Sequence, residues 1–316
     1  MKRVRINETW YKALDMDNEV NGKPYAVIFG AASLVGPYLL RRLAERGFSG
    51  LCISRGAAPA SCDTPASFSW ATVSAQEGLR VPPAATLFSL VPITALPPLI
   101  ARTDGGNRLI ALSTSSALYK AESPDLAEHR LAQDVLRAEQ EVQRFCRDQG
   151  IAWTIFRPTL VYDPGHDRNI SAVAAFVRRF GVFPVVWPGT GRRQPVHADD
   201  VARAMVAALN APGARDALFD LPGGETLTYR EMVRRIFQSL GRRPVLLYLP
   251  LGLARMGFYV WQRVTGAKYS VMSLERMNTD LTLDPAPVRD ALGITCRPFR
   301  PEFPEQADAR WHRRAH

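Results

Sequence analysis

The chain has 316 residues, 47% of them hydrophobic and 22% charged, a composition that can bury a large core and excludes a disordered or fibrous protein. Its 40 Lys and Arg against 30 Asp and Glu give a formal net charge of +10, which suits a phosphate-bearing small molecule or an anionic surface. No nucleic-acid-binding motif accompanies that charge, and Cys52, Cys62, Cys146 and Cys296 stand too far apart for a CxxC or Cys/His metal cluster, so neither nucleic acid nor a metal is expected.

In chain order, residues 1–23 show no clear period and read as a loose lead-in. Their start is basic but lacks an apolar segment, so no secretory signal is expected and a cytoplasmic location with free thiols is. "YAVIFG" (25–30) is a nearly continuous apolar run ending in Gly, the pattern of a buried parallel strand. "VGPYLLRRLAERG" (35–47) sets Leu39, Leu40 and Leu43 opposite Arg41, Arg42, Glu45 and Arg46 and predicts an amphipathic helix closed by Gly47. Further strands are expected at "LCISRG" (51–56), "TLFSLVP" (86–92), "NRLIALSTSS" (107–116) and "AWTIFRPTLVY" (152–162), with a long helix over 125–150.

This alternation predicts an α/β fold over residues 24–165, a Rossmann-type doubly wound parallel sheet. After Tyr162, helices are expected over 168–181, 199–213 and 227–241, with dense Pro and Gly between them. Residues 166–300 therefore read as a smaller, mainly helical substrate lobe, with the strand region 182–197 returning to the first domain. Residues 301–316 form an Arg-rich extension.

Two apolar stretches bear on membranes. Residues 84–101 hold Pro92, Pro97 and Pro98, and residues 244–266 hold Pro250 and Arg255, so neither is an uninterrupted span. In the second, Arg255 and Arg263 flank Met256, Phe258, Tyr259 and Trp261. A core helix is the simple reading, and contact with a membrane surface, at the inner-membrane periphery, is the alternative.

The turn "FGAASLVGPYLL" joins the first strand to the first helix. Its backbone at Gly30, Ala32, Ser33, Leu34, Val35 and Gly36 would present N–H groups to a diphosphate, with Ser33 where a middle Gly is usual. At the second strand end the chain has Ser54 and Arg55 in place of an acid for a ribose 2′-hydroxyl. A guanidinium there suits a 2′-phosphate, so NADP(H) is favoured over NAD(H). Leu90 and Val91, and Ser113, at later strand ends, join the expected cofactor set.

The motifs "VIFGAASLVG", "LSTSS", "WTIFRPTLVYDPG", "GTGRRQPVHADDVARAM" and "RMNTDLTLDPAPVRDALGITCRPF" resemble the extended short-chain dehydrogenase/reductase superfamily, in particular the NAD-dependent epimerase/dehydratase group, over roughly residues 24–300. The resemblance implies that Pro158 and Thr159 line the nicotinamide side. It implies that Arg193 contacts a substrate diphosphate and that Asn169 lies near the substrate. It makes His197 a structural residue and Asp199 and Asp200 helix caps.

The resemblance also implies a Tyr-x-x-x-Lys pair on the long helix. Counting back from Arg157, the matching positions are Gln133 and Arg137. Glutamine does no acid–base work at neutral pH, and Arg137 can hold a ribose but not shuttle a proton. The nearby stretch "LSTSSALYKAE" (112–122) instead packs serines against Tyr119 and Lys120.

Three readings stay open. Tyr119 or Lys120 replaces the missing pair. The protein binds NADP(H) without turnover, as a sensor or assembly subunit. Or Ser115, Ser116 and water relay the proton. The first is taken as the expectation: an NAD(P)-dependent epimerase, dehydratase or reductase acting on a nucleotide-linked or polyprenyl-linked sugar of cell-envelope polysaccharide metabolism. Its expected partners are that small-molecule or lipid-linked substrate and, among the options, a second copy as a homodimer.

Overall fold

A computed structural model describes residues 24–54, 64–72, 78–265 and 272–303, and the observations below concern those residues. From the N-terminus they run β1 (Tyr25–Phe29), α1 (Gly36–Glu45), β2 (Ser49–Ser54), β3 (Phe68–Thr72), β4 (Thr86–Ser89), α2 (Leu96–Ile100), β5 (Arg108–Leu112), α3 (Ser116–Lys120), α4 (Leu126–Asp148) and β6 (Ala152–Pro158). There follow α5 (Ile170–Phe180), β7 (Phe183–Val186), α6 (Ala198–Ala207), β8 (Ala217–Leu221), α7 (Tyr229–Ser239), β9 (Leu246–Leu249), α8 (Leu251–Thr265) and α9 (Ala286–Leu292), with shorter pieces between.

The chain divides into two compact units. In the first, seven strands pair in the order β8-β6-β5-β4-β1-β2-β3, every pair parallel. The order 3-2-1-4-5-6 within it is that of a doubly wound dinucleotide-binding sheet. The expected fold class holds, and its cause is visible in the runs: Ala26, Val27, Ile28 and Phe29 of β1 are all buried, as a strand covered on both faces requires.

Helix α1 begins with Pro in its first turn, where the missing N–H costs nothing, and buries Leu39, Leu40 and Leu43. Helix α4 is started by Asp125, whose carboxylate accepts from the amides of Ala127 and Glu128. It buries Ala132, Val135, Ala138, Val142 and Cys146 in one core with Val27, Leu87, Leu109 and Ile155.

One boundary differs from expectation. The segment 182–197 belongs to the second unit, and the chain returns to the sheet unit over Ala198–Leu221 instead. The physical reason lies in β8 and α6. Strand β8 pairs with β6 from Ala217↔Thr154 to Leu221↔Pro158, and Asp199 of α6 is clamped by the guanidinium of Arg42 on α1, at 2.8 Å to each oxygen. Asp199 and Asp200 do sit in the first turn of α6, but both also work as ion-pair partners, Asp200 to Arg203. Nothing in "DALFDL" announced a central-sheet edge strand.

The second unit comprises the described residues of Thr159–His197, Pro222–Pro285 and Thr295–Phe303. It packs α5 and α7 around Tyr162, Ile170, Met232, Ile236 and Phe299, and β7 pairs in parallel with β9. Helix α7 opens with a capping box, Thr228 and Glu231 each bonding the other's backbone amide.

The core makes a pH prediction. Burial pushes the Cys146 thiol up to about 12, with Asp216 adding to the effect and Arg108 opposing it. The folded thiol thus keeps its proton above its ordinary 9.0, so its contribution is fully present below pH 9.0 and is lost as pH rises toward about 12. Neighbouring Arg108, pulled down to about 10 by burial, acts in the opposite direction over the same window. Denaturant titrations of wild type and Cys146→Ala should therefore diverge: the wild-type advantage should shrink with rising pH, by at most about 1.4 kcal/mol per pH unit. An advantage constant from neutral pH upward would contradict this.

Candidate cofactor and active site

The site builds up along the C-terminal edge of the parallel sheet, where strand-to-helix loops place backbone N–H groups. After Phe29 the chain turns at Gly30, whose φ of +77° is open to glycine and rarely to others. A Cβ there would stand 2.9 Å from Val91 Cγ1 and 3.0 Å from the Val91 amide nitrogen. Gly36 is still tighter, since its Cβ would lie 1.8 Å from the Ala31 carbonyl oxygen.

The turn is closed by two backbone bonds, Ser33 N–H to Gly30 C=O at 2.9 Å and Gly36 N–H to Ser33 C=O at 3.1 Å. No side chain caps α1 and no acid occupies its first turn. Ser33 is half-buried, and its hydroxyl has no hydrogen-bond partner. An uncapped helix N-terminus free of carboxylates beside an orphaned hydroxyl fits a phosphate.

The other strand ends join the same edge. Leu90 N–H donates to Phe29 C=O at 2.8 Å, so the β4 end with Val91 lies against the glycine turn. Ala32 is exposed, Leu34 half-buried and Val35 buried. Ser54 ends β2, and Arg55 lies outside the described residues.

"LSTSSALYKAE" resolves into a strand end and a short helix. Ser113 N–H donates to Phe156 C=O at 2.7 Å and Ser115 N–H to Pro158 C=O at 3.1 Å, which fastens the stretch to the end of β6. Ser115 is buried, and the Thr114 hydroxyl donates to Ser116 Oγ at 2.9 Å. Helix α3 then carries Tyr119, half-buried, and Lys120, whose ammonium lies 3.8 Å from the buried Glu128 carboxylate of α4. The Ser123 hydroxyl donates to the other Glu128 oxygen at 3.1 Å.

His129 joins the same corner and escaped the sequence reading. Its Nδ1 is 2.5 Å from the Ala121 carbonyl, an acceptor only, so Nδ1 carries the proton. Nε2 then accepts from the Gln133 amide at 2.8 Å.

A second group was also missed. Glu139 of α4 is buried; the Ser113 hydroxyl donates to it at 2.5 Å and Arg157 of β6 donates to both its oxygens, from Nε at 2.9 Å. Hydrogen bonding to Glu139 raises the Arg157 pKa against the opposing effect of burial. Burial raises the nearby Asp220 carboxyl above its ordinary range, with Arg157 pulling it down and Glu139 pushing it up. The available signal was an acid on the apolar stripe of α4, one turn after Val135.

Gln133 and Arg137, the expected tyrosine and lysine positions, are exposed, and Arg137 pairs with Asp134 one turn back. The positions one and two turns before Glu139 are Val135 and Leu131. Helix α4 contains neither Tyr nor Lys.

Three expected residues of the second unit have other occupations. The Arg193 guanidinium is buried and donates to the carbonyls of Arg192, Thr279 and Arg276, which makes it a structural tie where a diphosphate contact was expected. Asn169 precedes α5, but its side chain makes no cap bond; Asp167 caps instead, accepting from the amides of Asn169, Ile170 and Ser171. The Thr159 hydroxyl donates to Gln194 C=O. His197 packs edge-on to Tyr162 at 5.1 Å between ring centres.

The sheet order and glycine turn define a Rossmann-type α/β fold. Residues 100–218 match the NAD dependent epimerase/dehydratase family. The match takes in the Ser113 strand end, α3, Glu139 and Arg157.

Among similar proteins, a (4-alkanoyl-5-oxo-2,5-dihydrofuran-3-yl)methyl phosphate reductase of Streptomyces griseus subsp. griseus is 29% identical, over 66% of this chain and 69% of its own length. The mitochondrial NADH dehydrogenase [ubiquinone] 1 alpha subcomplex subunit 9 of Arabidopsis thaliana is also 29% identical, over 50% of this chain but only 37% of its own length. The UDP-glucuronic acid 4-epimerase of Bacillus cereus, solved with UDP-glucuronic acid and NAD, shares the fold with a TM-score of 0.63 at 15% identity, over 87% of this chain and 95% of that one.

Proposed function

We propose that the protein is an NAD(P)-dependent oxidoreductase or epimerase acting on a nucleotide-linked or polyprenyl-linked sugar in cell-envelope polysaccharide metabolism. One arrangement supports this above all: the glycine turn with its orphaned Ser33 hydroxyl shares a sheet edge with a serine-rich strand end that runs directly into Tyr119 and Lys120. A bound nicotinamide supplies hydride exchange with a sugar carbon. Gly30–Gly36 hold the diphosphate through backbone N–H groups, and Ser113 is kept at the strand end by Glu139.

Lys120 is half of an ion pair with Glu128, so the transferable proton is assigned to the Tyr119 hydroxyl, with the Lys120 charge one residue on. Incubation of the purified chain with NADPH and a panel of keto-sugar nucleotides and polyprenyl-linked keto-sugars tests the reading. NADPH consumption that requires one of them is expected, or, with NADP+ and the matching hydroxy-sugars, formation of an epimer or keto-sugar; cofactor binding with no product in either arm would overturn it.

A second reading is favoured by two observations: α4 lacks both Tyr and Lys, and a similar protein is a subunit of NADH dehydrogenase. On that reading the chain binds the cofactor and works through a partner.

The cofactor preference has its own test. Titration should give tighter binding of NADPH than NADH, and Arg55→Ala should erase the difference, because only a 2′-phosphate rewards a guanidinium at that strand end. Equal affinities in the wild type would refute it.

A further inference from the structure

Large apolar side chains left exposed are not spread evenly over this protein. Ten such residues stand out among the described ones, and eight fall between Phe180 and Tyr259. Three lie on α8 at helical spacing: Leu253 (53% exposed), Met256 (63%) and Tyr259 (55%). The opposite side of the same helix is also apolar, with Leu251, Ala254 and Phe258 packed on Val186, Leu274 and Met277. A helix that is apolar all round is normally buried all round. Here one side is buried in the second unit and the other faces outward.

Trp187, 68% exposed, extends the face. Its backbone N–H donates to Leu249 C=O at 3.0 Å, so the indole stands beside the strand end from which α8 departs. The charge along this segment is mostly of one sign, with Arg255 paired to Glu275. Residues 242–265 contain Arg242, Arg243, Arg255 and Arg263 and not one Asp or Glu. Arg263 lies over the Tyr259 ring at 5.2 Å and donates to its hydroxyl at 2.7 Å, an aromatic body with a cationic rim.

We propose that the outward side of α8, with Trp187 at its start, docks onto a lipid bilayer bearing anionic headgroups. Trp and Tyr suit the headgroup level, Leu and Met the acyl boundary, and the arginines the negative surface. The helix lies on the bilayer and does not cross it: no described helix is long and apolar enough to span. A second copy of the chain is the poorer occupant, because a two-fold contact through this face would set Arg242, Arg243 and Arg263 against their own equivalents. Docking does not depend on the proposed reaction, and it would bring a lipid-linked substrate to the protein.

Flotation of the full chain with phosphatidylcholine vesicles, with and without phosphatidylglycerol, tests this without cofactor or substrate. Binding is expected only with phosphatidylglycerol and should weaken steeply with salt. Arg243→Gln with Arg263→Gln should lower the partition coefficient roughly 25-fold, at about fivefold per arginine. Leu253→Ser with Met256→Ser should lower it as well, with an unchanged circular dichroism spectrum, since both positions are exposed. Three results would overturn the proposal: no flotation with either vesicle, equal flotation with both, or a vesicle-independent dimer that Leu253→Ser with Met256→Ser disperses. The salt titration of the unaltered chain stands even where a variant fails to fold.

Discussion

Tyr119→Phe should lower kcat by roughly 10²–10⁴-fold, the range for losing a positioned general acid, with NADPH affinity and melting temperature little changed. The ring stays on α3 and only the proton-bearing oxygen goes, so a merely structural tyrosine would show its loss in stability and not in kcat. Lys120→Met should cost less in rate. Lys120→Arg should keep more of kcat than Lys120→Met, since it retains the positive charge. The methionine change takes the Lys120 cation from the buried Glu128, which keeps the Ser123 hydroxyl, so a modest loss of stability is expected alongside. If Tyr119→Phe keeps kcat within about twofold, the phenol is not the donor, because general-acid loss does not hide at that level. Ser116→Ala would then be the informative variant.

Glu139→Gln should destabilise the sheet unit by about 3 kcal/mol, the lower end for removing one partner of a buried ion pair. The low end is chosen because Asp220 stands near Arg157 and takes up part of its charge. The variant leaves Arg157, with 15% of its side chain exposed, facing an amide, and it replaces a charge-assisted acceptor for Ser113 with a weaker one. Arg157→Met on top of Glu139→Gln should recover part of the loss, since neither charge is then stranded. Strictly additive losses in the double variant would mean that the pair is not coupled. Because Ser113 hangs on Glu139, turnover should fall with the folded fraction and then somewhat further.

The sheet was legible because it is simple physics. "YAVIFG", "TLFSLV" and "RLIAL" are apolar on both faces, which only a strand covered twice tolerates, and Gly30, Gly47 and Gly150 mark turns by their freedom at positive φ. The glycine turn and the serine strand end could be assigned to the sheet edge for the same reason. Less legible was anything that depends on which way a polar side chain faces. Counting residues back from Arg157 led to Gln133 and Arg137, whereas the helix turns Glu139 inward and those two outward, a matter of rotation that residue spacing alone does not fix. Arg193 looked like a ligand for phosphate because guanidinium chemistry is the same whether it meets phosphate or backbone carbonyls. Only the fold brings Thr279 and Arg276 within its reach. The return over 198–221 was missed for a similar reason: Arg42 and Asp199 are 157 residues apart, and long-range ion pairs leave no local trace.

Single-turnover mixing of NADPH with excess purified chain and a keto-sugar nucleotide separates turnover from binding alone. Oxidation of the bound NADPH in one kinetic phase is expected, slowed by Tyr119→Phe and unchanged in amplitude. NADPH that binds and stays reduced, together with bound NADP+ that no hydroxy-sugar nucleotide reduces, would contradict an enzyme and leave a cofactor-binding subunit in its place.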